Sequence, residues 1–464
     1  MGIVLNGGTI VTAADIYQAD VRIDGERIVA IGHDIKQPGD QVIDVDGCFL
    51  FPGGIDPHTH FDLPMGDFST SDDFSSGSKA AILGGTTTIL DYATQFKGET
   101  LKQGLINWQA KAGGKCYVDY GFHMAITDWK DSIAREMIDL ISQEGISSFK
   151  LYMAYKNTLQ VDDQALLQAL RQAGEYGALI CVHCENGDVV DDLVHGYLKK
   201  GKTSPAYHPL SRPPEVEAEA TFRVITLAQM AGAPLYIVHL SNSGALKAVV
   251  EGKLKGLEIY AETCPQYLLL DDSYYNCEGF EGAKYVISPP LRPVQNQDVL
   301  WSGLTSGILD VVATDHCAFN YKGQKDKGLN DFSKIPNGAA GVETRMGLLY
   351  TYGVLTGKLS LNDFVALTST NAAKLFGLFP RKGTIAPGSD ADLVIWDPRI
   401  SSVLRAETLH QQVDYTPYEG FKQSGQAIHV FLRGKQIVEN GKLKVDKPTG
   451  MYLSRKPFLK RKVG

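Results

Sequence analysis

The sequence lacks the features that would send a chain to a membrane or to a nucleic acid. No run reaches the roughly 18 consecutive apolar residues of a membrane span. The start, "MGIVLNGGTIVTAADIYQADVRI", has neither the charged leader nor the long apolar core of a signal peptide. A cytoplasmic protein is expected. A basic stripe is also missing: 45 Lys and Arg face 53 Asp and Glu, a net charge of -8 spread along the chain. Contacts with a phosphate backbone are therefore not expected. Cysteine is scarce, seven scattered through 464 residues, which fits reduced thiols better than a disulfide framework. With 44% hydrophobic residues, the chain has the composition of a soluble globular protein with one large domain and a smaller one.

What is present is a change of rhythm along the chain. Residues 1–50 read as short strands broken by turns, and the same texture returns in "GTIAPGSDADLVIWDP" and "AIHVFLRGKQIVENGK". The two ends are expected to build one discontinuous β-sandwich domain, residues 1–50 with 379–445. Between them, over 51–378, about eight compact strand-like runs alternate with helical patterns such as "DSIAREMIDLISQEG" and "DDQALLQALRQAGEYG", each closed by a glycine. That alternation predicts an α/β fold, a (β/α)8 barrel of the TIM type, with a doubly wound open sheet as the weaker alternative. Residues 446–464 form a basic tail that reads as a solvated end.

In such a barrel, reactive groups sit at the C-terminal ends of the strands. His58 and His60 in "GGIDPHTHF" close the first run and, two apart, point to one side of an extended segment. His183 closes "ALICVHCEN", the fifth; His239 closes "PLYIVHLSN", the sixth; Asp315 closes "VVATDHC", the eighth. Any one of these could be a satisfied rim residue. Together, four imidazoles and a carboxylate suit Zn2+ or a similar borderline divalent ion. Lys150 lies inside the apolar fourth run, "SSFKLYMA", where a bare ammonium is costly and repels a metal. Either its amine reaches a carboxylate at the rim, or it takes up carbon dioxide and becomes a carbamate bridging two metals.

The stretches "DPHTHF", "FKLYMAY", "VHCEN", "IVHLSN", "CPQYL", "ISPPLR" and "ATDHC", in this order, resemble the cyclic amidohydrolases, and specifically the dihydropyrimidinase and hydantoinase family. The likeness covers nearly the whole chain. It implies two divalent ions, zinc first, with manganese or cobalt as alternatives. His58, His60 and Asp315 would hold one ion, His183 and His239 the other, with carboxylated Lys150 and a hydroxide between them. It implies metal-dependent hydrolysis of dihydropyrimidines and 5-substituted hydantoins to N-carbamoyl amino acids, with Asp315 as proton shuttle. Tyr155 resembles the oxyanion donor, and Ser288 and Asn337 match positions whose main-chain groups hold the substrate's amide edges. Met65, Tyr152 and Leu159 match positions facing the exocyclic group. A homotetramer is implied, with the tail against a neighbouring subunit.

Rival readings differ at particular residues. A dihydroorotase would carry Arg in H-x-H-x-R, where this chain has Asp62. Allantoinase fits the other motifs less well, and the collapsin response mediator proteins, non-enzymatic assembly proteins of like fold, lack the metal ligands. A mononuclear deaminase of the superfamily should lack the fourth-strand lysine. Cys181 and Cys184 form C-x-x-C, but three apart on a strand they face opposite sides, so no redox role is expected. His316 and His123 read as structural.

Overall fold

The computed structural model describes residues 2–458. Eight parallel strands form the central sheet: β1 (Gly54–Thr59), β2 (Thr86–Thr94), β3 (Asp119–Ala125), β4 (Ser148–Tyr152), β5 (Leu179–His183), β6 (Leu235–Ile237), β7 (Ile259–Thr263) and β8 (Val311–Val312). They neighbour one another in sequence order. The ends of the row meet just past β8, where Thr59 pairs with His316 and the His60 N–H donates to the His316 carbonyl at 2.8 Å. The sequence expectation of a TIM-type barrel with a second sheet domain is met.

The two quoted helical patterns form as read. One gives Asp163–Tyr176, ended by Gly177 at φ 76°. The other gives Asp131–Asp139, running through a wider turn, Leu140–Glu144, to Gly145 at φ 70°. Both glycines take the left-handed conformation that a side chain would oppose. No helix among the described residues is long and apolar enough to cross a membrane.

The chain ends supply two further sheets. One has four strands, all from residues 3–44; the other has seven, joining Thr9–Val11, Ile16–Gln18 and Phe49–Pro52 to four strands after Leu393. Side chains alternate along Phe49–Pro52. Leu50 points between the two sheets, among Leu5, Ile10, Ile23, Leu393 and Phe431. Phe51 points the other way, against Phe364 and Trp396 at ring separations of 5.1 and 6.1 Å, and so fastens the sandwich to the barrel's helices. This strand carries the seven-stranded sheet to Pro52.

The tail does not run free. Tyr452 bridges to Tyr120, the Leu453 N–H donates to the Tyr120 carbonyl at 2.7 Å, and Leu453 enters the barrel-interior cluster with Ile55, Leu90 and Tyr236. The reading of a solvated end is corrected for these residues: an apolar side chain here closes the N-terminal mouth of the barrel. Residues 459–464 lie outside the described residues.

Candidate metal centre

The polar groups of the strand ends converge at the C-terminal face. His58 is the fifth residue of β1 and is wholly buried; its Nδ1 bonds Glu262 of β7. The other nitrogen, Nε2, is thereby turned inward, 3.1 Å from Asp315 Oδ1. His60 Nε2 stands 3.2 Å from the same oxygen, and the ligand atoms of His58, His60 and Asp315 all lie within 4.8 Å of one another. On β5, His183 bonds Glu185 through Nε2 at 2.7 Å and faces His239 through Nδ1, 2.9 Å from His239 Nε2. The rings of His58 and His239 are 5.4 Å apart, which joins the two subsets.

Strand geometry alone does not aim all of these groups. His239 and Asp315 follow the ends of β6 and β8, and both have positive φ, 37° and 53°. Non-glycine residues are held there at a cost, and such positions concentrate at functional sites.

Lys150 is central in β4 and wholly buried. Its amine has no hydrogen-bond partner among the described residues and sits 4.7 Å from the Tyr92 ring centre and 5.2 Å from that of Tyr152. The rim-carboxylate reading of this lysine is not met. Burial lowers its pKa, opposed by the charge of Asp315. Burial also lowers His60, to about 4, and takes His183 and His239 below the usual imidazole value. His58 is the exception: burial pulls it down, but the Glu262 and Asp315 carboxylates together outweigh burial and leave it raised.

These groups fit divalent metal. His60, His183 and His239 are disposed to be neutral, and a carboxylate and several imidazole nitrogens turn toward one another in a dry space. Acceptor facing acceptor is unfavourable in a low-dielectric interior unless something positive lies between. Imidazole nitrogen with carboxylate oxygen is the donor set of zinc and its neighbours.

Glu262, Glu185 and Arg212 escaped the sequence reading, although a glutamate inside the apolar run "LEIYAETCP" is as odd as Lys150. Glu262 fixes the His58 ring and accepts the Tyr236 hydroxyl at 2.8 Å. Glu185 fixes His183 and bonds Arg212 at 2.7 Å. Burial pushes Glu185 up, but Arg212, His183 and Arg292 together more than offset it and bring it down to about 2. Carboxylates behind metal-ligating imidazoles set which nitrogen faces the ion.

The remaining candidates stand on loops. Tyr155, at φ 67°, is 5.1 Å from the His183 ring, with the Arg212 guanidinium 5.5 Å over its own ring. Burial raises its pKa, so the phenol keeps its proton. Tyr152 is buried, 6.0 Å from the His183 ring. Met65 lies on an exposed hairpin, Pro64–Met65 with Phe68–Ser69, and Leu159 on a partly exposed loop. No hydrogen bond or ring contact among the described residues joins these two, or Asn337, directly to the cluster.

Cys181 lies in the barrel interior and Cys184 in the layer outside it, both free thiols. His316 faces Asp72 at 3.0 Å and His123 the Pro57 carbonyl at 2.9 Å, each engaged away from the cluster.

Comparison with known proteins accords with this geometry. The amidohydrolase family model matches residues 49–437. A D-hydantoinase of Geobacillus stearothermophilus is 50% identical over 98% of this chain and 96% of its own length. A D-phenylhydantoinase of Escherichia coli O1:K1 / APEC is 44% identical over 99% of each. Among solved structures, the dihydropyrimidinase from Brevibacillus agri NCHU1002 superposes with a TM-score of 0.98 at 50% identity, over 99% of this chain and 100% of that one. The L-hydantoinase from Arthrobacter aurescens gives 0.89 at 28% identity, over 98% and 99%. The chain belongs to the amidohydrolase family and, within it, to the dihydropyrimidinase and D-hydantoinase group of cyclic amidohydrolases.

Proposed function

We propose that this enzyme opens dihydropyrimidine and 5-substituted hydantoin rings by adding water across a ring amide, releasing N-carbamoyl amino acids. The observation that carries the reading is the buried convergence of His58, His60, His183, His239 and Asp315 around the unpartnered amine of Lys150. His58, His60 and Asp315 would hold one ion and His183 and His239 the second. Lys150 would lie between them after its neutral amine adds carbon dioxide, forming an N–C bond and releasing one proton. Zinc is the ion favoured, with manganese and cobalt as alternatives. When bound, the ions supply an acidified water and a polarised carbonyl at neutral pH.

The remaining work falls to the chain. Asp315 accepts the proton of the attacking water and returns it to the ring nitrogen as the C–N bond breaks, so that water is consumed and no proton is left over. Tyr155, kept protonated by burial, donates to the carbonyl oxygen as negative charge develops there. Main-chain groups of Ser288 and Asn337 hold the ring's amide edges. Met65, Tyr152 and Leu159 face the exocyclic substituent. Relatives 44–50% identical carry the name D-hydantoinase or D-phenylhydantoinase, whereas the L-hydantoinase is 28% identical, which supports a preference for the D enantiomer. A homotetramer and a role in pyrimidine catabolism complete the reading by family likeness, and a cytoplasmic location by the sequence reading above.

The test is metal content and turnover measured together on dihydrouracil, dihydrothymine, allantoin and both enantiomers of a 5-substituted hydantoin. Turnover that tracks metal through chelation and reloading, and favours the D-hydantoin over allantoin, is expected. Metal-independent turnover would contradict the reading.

A further inference from the structure

Lys325 is a charged side chain that this chemistry leaves unused. It is wholly buried at the start of the short turn Lys325–Gly328. Its partners are two main-chain carbonyls, Val286 at 2.9 Å and Pro336 at 3.0 Å. Burial draws the amine down to about 7; charged or neutral, it can donate to both. A side chain needed only to fill this space would be apolar, because burying an amine away from any carboxylate is costly.

The two carbonyls lie on separate loops, one two residues before Ser288 and the other immediately before Asn337. The Gly338 N–H adds a second tie, donating to the Val286 carbonyl at 3.0 Å. The loop around Ser288 is held from other sides as well. His208 Nε2 bonds the Ile287 carbonyl at 2.7 Å, and the Tyr267 hydroxyl donates to the Pro289 carbonyl at 2.7 Å.

Peptide planarity turns these ties into a direction. In a trans peptide the N–H and C=O point opposite ways. With the Pro336 carbonyl on Lys325 and the Gly338 N–H on Val286, the Asn337 N–H and carbonyl both point away from the clamp. With the Ile287 carbonyl on His208, the Ser288 N–H points away from that imidazole. Among the described residues, neither the N–H nor the carbonyl of Ser288 or Asn337 has a hydrogen-bond partner within the protein.

We propose that Lys325 is a positioning residue: it sets the spacing between the backbone edges of Ser288 and Asn337 so that both engage the amide groups of one substrate ring. This rests on the reading of those two residues as the substrate's amide contacts. Pinned neighbours around unengaged groups give the preorganised edge that a small planar amide needs.

The test uses the metal-loaded enzyme, dihydrouracil and its two N-methyl derivatives. Lys325→Met should raise KM about tenfold, the effect of losing hydrogen bonds from a charged donor, with metal content unchanged and kcat altered far less. The KM penalty for ring N-methylation, present in the wild type, should shrink in the variant. Lys325→Gln, which keeps a donor on a shorter stem, should show a smaller rise and provides the same readout if the Met variant does not fold. Wild-type KM in these variants, or an unchanged methylation penalty, would overturn the role of Lys325 alone. A wild-type enzyme indifferent to methylation would overturn the reading of Ser288 and Asn337 and this inference with it.

Discussion

Two buried clusters of acidic and basic groups sit at opposite mouths of the barrel, and they are finished in different ways. At the N-terminal mouth, Asp119 of β3 meets Asp390 and Asp392 of the linker into the sandwich. Lys382 reaches all three, at 2.8, 3.2 and 2.5 Å. Arg433 pairs with Asp119, and Arg381 and Arg27 pair with Asp390 at 2.9 and 2.6 Å. Burial works against the Lys382 ammonium, but the carboxylates outweigh it and raise its pKa. At the C-terminal mouth, by contrast, ring nitrogens of His58 and His60 face the Asp315 carboxylate, those of His183 and His239 face each other, and the lysine among them has no partner among the described residues. Both clusters have candidate ligand atoms close enough to hold an ion, two imidazoles with one carboxylate above and three carboxylates below. On the proposed reading, only the upper one is completed by something from outside the chain. Proximity of acidic groups is therefore a weaker sign of a metal site than unbalanced charge and lone pairs.

Substitutions at the two mouths should separate these roles. Lys150→Ala should remove metal and turnover together, with partial return of both when short carboxylic acids are added with excess metal. Elemental analysis beside an activity assay checks this. Next, Asp315→Asn should cost about a thousand-fold or more in kcat by removing the proton carrier, while substantial metal stays bound. Asp392→Asn at the lower mouth should leave metal content unchanged. Tyr155→Phe should cost about a hundred-fold in kcat; a change confined to KM would show that the tyrosine orients the ring and does not stabilise the developing oxyanion. The smallest effect on turnover belongs to Lys382→Met. Leaving its buried carboxylates without their shared cation should lower stability by about 3–5 kcal/mol, read by denaturant unfolding, while the folded fraction keeps near wild-type kcat. Loss of metal in this last variant would break the comparison.

The sequence shows these two mouths unequally. Each barrel strand is an apolar run, so a polar residue at its end stands out, and that is how His58, His60, His183, His239 and Asp315 were legible. Lys150 was legible for the same reason, and Glu262 could have been. The chain ends declared a shared sheet through repeated strand texture. Lys382, Asp390 and Arg433 lie in loops and turns that no periodicity marks, and the partners that tie them to the rest of the chain, Asp119 and Arg27, are hundreds of residues away. Lys325 is hidden more completely. Its partners are backbone carbonyls, which every residue has, so no residue type betrays the contact. The tail misled for a related reason: its basic character suggests solvent, yet Leu453 is what the barrel buries.

The claim that the upper cluster is completed from outside the chain is tested most directly at the Lys150 amine. A crystal of the metal-loaded, active enzyme should show density for a carboxylate on Nζ, lying between two ions bound by His58, His60 and Asp315 on one side and by His183 and His239 on the other. A bare amine there, with two ions bound and full activity, would contradict it.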